Sequence, residues 1–164
     1  MSLYVLRQRA SGLAICLVLL LLIGAAPPPN KPMIEKDPVD LGTHYTRYFT
    51  RDAFGRQITF YLSQPQSGSA RLPLAVFVTG SGCVSNFTKH GDQIYGGLQN
   101  LLQRSLKGQA RVMVVEKPGV RYLDMPAQPG SATGCSQEFL EEHTLPRWAE
   151  AVGAAIRAVV TLPD

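Results

Sequence analysis

Between Arg56 and Leu62 the chain alternates: Ile58, Phe60 and Leu62 are separated by Gln57, Thr59 and Tyr61. That period of two is the mark of a strand with one buried face. Residues 43–50 are equally β-prone, and the two runs flank Arg51-Asp52-Ala53-Phe54-Gly55, so a β-hairpin is expected. Residues 64–71 read as a loop of Pro, Gly and Ser. The pattern then changes to unbroken apolar runs, the signature of strands covered on both faces. Leu74-Ala75-Val76-Phe77-Val78 leads straight into Thr79-Gly80-Ser81-Gly82-Cys83, and Val112-Met113-Val114-Val115 ends in Glu116-Lys117-Pro118-Gly119. Between them, residues 92–104 place Ile94, Leu98, Leu101 and Leu102 at helical spacing. Strand, helix, strand over this length predicts a parallel βαβ unit. A loop over 124–136 follows. Thr144 then stands as a cap before a long helix whose apolar face is read as Leu145, Trp148, Ala149, Val152, Ile156, Val159 and Val160. Pro146 is tolerated in its first turn, where its missing N–H had no partner.

The start of the chain reads differently. Residues 1–26 carry Arg7 and Arg9, an apolar run from Leu13 to Ile23, and Gly24-Ala25-Ala26. This is the layout of a secretory signal, and the run is short for a bilayer span. With Pro27 directly after Ala26, the segment is either cut or kept as an anchor, the one membrane contact expected. Residues 27–42, with five prolines and no apolar period, are expected to be an extended linker. Residues 43–164 are left as a single domain. At 45% hydrophobic and 17% charged, the composition is that of a globular chain. Loss of Arg7 and Arg9 lowers the formal charge from +4 to +2. The basic balance therefore belongs partly to the leader, and no nucleic-acid partner is expected. Export, to a periplasmic or extracellular space, places the remaining cysteines, Cys83 and Cys135, in oxidising surroundings. Two readings stay open there: a disulfide, or two buried thiols that never meet.

A hairpin, a buried strand running into a glycine-rich turn, a helix, a second buried strand and a long helix resemble the opening half of an α/β-hydrolase. The similarity is strongest to secreted esterases of the dienelactone-hydrolase and prolyl-oligopeptidase kind. It is carried by Leu74–Gly82, which resembles the strand and oxyanion loop with Thr79 where many members have His, and by residues 154–164, similar to the helix and loop before the nucleophile strand. The fold so implied is α/β, three-layer α/β/α, a partial hydrolase-like sheet cut short before that strand. The G-x-S-x-G elbow, the acid and the His of that family have no matching positions here. The resemblance therefore implies a serine esterase or peptidase scaffold acting, when complete, on a small-molecule or peptide substrate without cofactor, and inactive as this chain alone. The alternative is a non-enzymatic exported domain that binds a ligand or partner at the loops after the strands.

No catalytic side chain and no metal ligand is assigned. The backbone N–H groups of Ser81 and Gly82 are candidates for half an oxyanion hole, against the plainer reading of a tight turn. The resemblance also brings Cys83 and Cys135 to one sheet edge. A Cys83–His90 nucleophile pair lacks any feature that would activate the thiol. His44, His90 and His143 show no metal-ligand spacing. Glu138, Glu141 and Glu142 read as a solvated face or a partner for a helix N-terminus. Trp148 reads as core. Asn86-Phe87-Thr88 matches a glycosylation sequon.

Overall fold

A computed structural model describes residues 32–65, 71–80, 82–128 and 131–163. The expected leader, residues 1–26, lies outside them. Strands β1 (Ile34–Lys36), β2 (Tyr45–Arg51), β3 (Gln57–Ser63), β4 (Leu74–Phe77) and β7 (Arg111–Val115) form one sheet in the order β1-β2-β3-β7-β4. All neighbours are antiparallel except β4 and β7, which run parallel. A second, two-stranded ribbon joins β5 (Phe87–His90) to β6 (Gln93–Gly96). Helices α1 (Leu98–Leu106), α2 (Gln137–Glu142) and α3 (Leu145–Val159) complete the fold.

The sheet is packed from both sides, because its central strands are apolar at successive positions. On one face Ile58, Phe60, Leu62, Met113 and Val115 meet Trp148, Ala151, Ala155 and Ala158 of α3. On the other, Tyr61, Val112 and Val114 meet Tyr45 and Phe87, with Leu102 and Leu106 of α1 against them. Phe87 fills this second cluster edge-on to Tyr61, ring centres 4.7 Å apart, and to Tyr45, 5.4 Å apart. Such contacts add to the burial of the rings themselves. The α/β class and the β2–β3 hairpin follow the sequence pattern, with every pair from Tyr45↔Ser63 to Arg51↔Gln57 in register.

Five expectations need correction. The linker expected over 27–42 is not a linker throughout: Ile34–Lys36 is a strand on β2, Leu41 and Asp37 are buried, and Asp37 is bound by the Arg47 guanidinium. The helix expected over 92–104 begins only at Leu98. Gly91, at φ +59, lets the chain reverse between β5 and β6, and Ile94 joins the second cluster from a strand rather than a helix. Residues 137–142, read as a mere acidic run, form α2, capped by the Ser136 hydroxyl accepting from Phe139 N. Thr144 begins α3 without a side-chain cap; its carbonyl accepts from Trp148 N at 2.8 Å. The buried face of α3 is only partly the one its large residues suggest: Trp148, Val152 and Val159 pack on the sheet as expected. Ala151, Ala154, Ala155 and Ala158 are buried with Trp148, whereas Leu145, Ile156 and Val160 are exposed. Methyl side chains let the helix axis sit close on a sheet already filled by Phe60 and Met113.

One guanidinium ties the hairpin turn to the helical layer. Arg56 pairs with Asp52 at 2.5 Å and Glu142 at 3.0 Å, and donates to Arg147 O at 2.7 Å. Asp52 in turn accepts from Phe54 N and Arg56 N, both at 3.0 Å, which fixes the turn.

Candidate functional site

In an open sheet with parallel strands, ligands bind where the loops leave the strands' C-terminal ends. Here those loops follow β4 and β7, and three tethers draw them together. The first is a disulfide between Cys83 and Cys135, with Cα atoms 5.5 Å apart and Phe139 and Val120 packed around it. Of the two readings left open by the sequence, the paired one is the structure. It also removes Cys83 as a thiol nucleophile, and His90 is exposed against Tyr95.

The second tether is Glu116, the first residue past β7 and only 2% exposed. Its carboxylate accepts from Ser85 Oγ at 3.1 Å, Asn86 N at 3.3 Å and Asn86 Nδ2 at 2.9 Å. Burial nevertheless dominates these donors and pushes the carboxyl up to about 7. Tyr61, beside it and also buried, is pushed far above its usual range by the same loss of water. Ser85 passes the link onward: its hydroxyl accepts from Phe87 N and Leu123 N, and its own N–H donates to Asp124 O. A hydroxyl so fully engaged and so deeply buried has no freedom to act as a nucleophile.

The third is Lys117, 4% exposed. Its Nζ donates to Gly80 O at 3.4 Å, holding the chain after β4. Burial lowers its affinity for a proton, and the Glu116 charge opposes that shift. His143, which stacks on Phe139 at 4.7 Å, is also lowered, by burial first and by Lys117 second. Its Nδ1 and the Thr79 hydroxyl are buried without a hydrogen-bond partner.

A cleft of about 350 Å³ opens beside the disulfide, lined among others by Cys83, Gly119, Arg121, Asp124, Met125 and Ser136. Gly119 makes it possible. Its φ is +77, and a Cβ there would come within 2.8 Å of Phe139 Cα and 2.9 Å of Glu138 C. Gly119→Ala is therefore expected to push α2 away and cost about 2 kcal/mol or more in a urea unfolding curve, from strain and lost packing together. A shift below half of that would show that α2 moves freely.

Ser81 lies outside the described residues, so the oxyanion donors are represented by Gly82 alone, half-buried next to the disulfide. Among the described residues no serine or cysteine side chain bonds to a histidine, and no three His, Cys, Asp or Glu side chains gather as metal ligands. Glu142 is an ion-pair partner of Arg56 and Arg147, Glu141 accepts from Gln137, and Glu138 sits in the first turn of α2. Trp148 is core. Asn86 is buried with its Nδ2 spent on Glu116 and Val115 O, so the sequon cannot carry a glycan in the folded protein. Sequence reasoning overlooked Glu116 and Lys117. Two opposite charges directly after a fully apolar strand were the available signal, since that strand leaves them nowhere to go but inside. Comparison with protein-family models, with curated proteins and with solved structures finds no match to this chain.

Proposed function

We propose that this chain is the opening portion of an exported α/β-hydrolase-like protein of the serine esterase or peptidase class. Its own role is the scaffold and half of an oxyanion hole, with the Gly82 and Ser81 amides as donors. The observation that carries the reading is the place of β4: parallel to β7, last in the order among the described strands, and followed by a glycine-containing loop that Lys117 holds at Gly80 O. The resemblance asks for those two strands side by side and for a nucleophile strand beyond β4. The Cys83–Cys135 and Lys117–Gly80 tethers supply the preorganisation that oxyanion donors need, since donors that must move at the moment of reaction stabilise little. This chain is assigned no nucleophile, acid or His, so on this reading it is inert alone, and a complete enzyme of that class would act on a carboxylic ester or a peptide bond.

The test has two arms. Reading the codons after Asp164 in every frame is expected to give a β-prone run, then G-x-S-x-G, then Asp and His. Their absence overturns the reading. The purified chain is expected to leave activated esters untouched, and saturable turnover by it would contradict the assigned inertness. Export is checked by the N-terminal residue of protein recovered outside the cytoplasm.

A further inference from the structure

A second cleft, of about 350 Å³, lies between the hairpin and α1, at the end of the sheet away from the loops after β4 and β7. Its place follows from Arg111, the first residue of β7, whose Nε donates to Ser63 O directly before Gln64. One wall continues β2 and β3 past their ends: His44 and Gln64, joined by Gln64 N donating to His44 O at 2.9 Å. The other is α1 and its last turn, with Asn100, Gln103, Arg104 and Lys107. A buried strut fixes the spacing of the walls, since Tyr45 OH donates to Gln99 O at 3.1 Å. Leu102 and Leu106 pin the same helix to the sheet. The cleft borders β2 and β3, so it involves neither β4 nor its outer edge.

The lining is cationic and rich in amides. From Gln93 to Val115 the chain carries three basic residues and no acidic one, and two of the three, Arg104 and Lys107, line this cleft. Among the described residues neither cation has an ion pair, and the side chains of His44, Gln64 and Gln103 make no hydrogen bond. A helix C-terminus attracts cations, which accounts for the charges. It does not account for Lys107 in its place, at φ +47, in the left-handed region where glycine costs least. A lysine held there keeps an ammonium at the cleft at the backbone's expense. We propose that this cleft binds a phosphate monoester carried on a hydroxylated body, a sugar or polyol. Such an ester carries about −1.5 to −2 charges at neutral pH, which matches the two cations. The Arg104 fork takes two phosphate oxygens, and the Lys107 ammonium takes the third as a point charge. The Gln64 and Gln103 amides, each donor and acceptor at once, suit hydroxyl groups. The cleft is larger than a bare phosphate, which leaves room for the body. No aromatic ring lines it, which disfavours a nucleotide base.

The site stands apart from the catalytic reading, which is judged by downstream codons. The experiment is calorimetric titration of the purified full chain with glucose 6-phosphate, inorganic phosphate and glucose. One ester is expected to bind per chain, with a dissociation constant of roughly 0.1–1 mM, inorganic phosphate about tenfold more weakly, and glucose not at all. Arg104→Gln/Lys107→Gln, with unchanged near-ultraviolet circular dichroism, is expected to weaken the ester at least about tenfold. Arg51→Gln/Lys89→Gln removes two exposed cations elsewhere, lowers the net charge equally, and is expected to leave the affinity within about twofold. Lys107→Gly separates the site from the fold: it is expected to raise the urea midpoint, by relieving the left-handed lysine, while weakening the ester severalfold. Absence of saturable ester binding at about ten times the upper end of that range overturns the proposal. So does inorganic phosphate bound as tightly as the ester, and so does equal weakening by the two double variants. A Lys107→Gly chain that gains stability and keeps its affinity overturns it as well.

Discussion

Reduction and alkylation of Cys83 and Cys135 lowers the unfolding free energy by about 4 kcal/mol, the loop-entropy value for the 52-residue separation that the bond closes. Against a total of roughly 5–15 kcal/mol for a domain of this size, that is a large share. The bond does more than shorten the unfolded chain. It fastens the turn after β4 to the segment before α2, with Phe139 and Val120 packed on it, so its loss also loosens the cleft. Urea titration of the oxidised chain and of a Cys83→Ser/Cys135→Ser variant reads the difference directly. A midpoint that barely moves would mean that the unfolded chain is already held together by other contacts, and the entropic account would fail.

The second large effect is a pH dependence centred on Glu116. Its carboxyl titrates at about 7 when folded, against an ordinary value of 4.5. The folded protein therefore holds a proton that the unfolded chain has released. Stability from this group is fully present below about 4.5 and falls as pH rises through 7, by about 3 kcal/mol in all. His143 acts the other way in part of that window. Burial lowers its proton affinity in the folded state, so its contribution grows as pH rises toward 6.5. Comparing the wild type with Glu116→Gln at each pH cancels His143 and leaves the Glu116 curve. The wild type is expected to be about 3 kcal/mol worse relative to the variant at pH 8 than at pH 4.5, by denaturant unfolding. A flat difference would show that Ser85 and Asn86 fully compensate the buried charge.

What the sequence revealed, and what it hid, divides along physical lines. Alternation announced β3, and continuous apolar runs announced β4 and β7 as strands; the two-sided burial such a run implies holds for β7, whereas β4 is only half-buried. β1 was hidden because Ile34-Glu35-Lys36 has no alternation of its own. It forms because β2 has an open edge and Asp37 reaches Arg47. The β5–β6 ribbon was misread because Ile94 falls by chance in phase with Leu98, Leu101 and Leu102, which do lie on a helix, while the reversal at Gly91 puts Ile94 in a strand. In the helix spanning 145–159, size misled in part: Trp148 packs as expected, but Leu145, Ile156 and Val160 face outward and the alanines complete the contact. At the site the cysteine pair was legible from redox setting and count. Glu116 and Lys117 were not, since hydropathy treats a charge as a surface marker and cannot see hydrogen bonds waiting inside.

The burial of Asn86 bears on how the protein can be made. A eukaryotic secretory pathway attaches sugar to an Asn-x-Thr triplet while the polypeptide is still unfolded. A glycan so attached would occupy the amide nitrogen that must later reach Val115 O and Glu116. The modified molecule could not close the loop beneath β5, so production in yeast or animal cells would yield a trapped, misassembled product, whereas a host lacking that modification leaves the amide free.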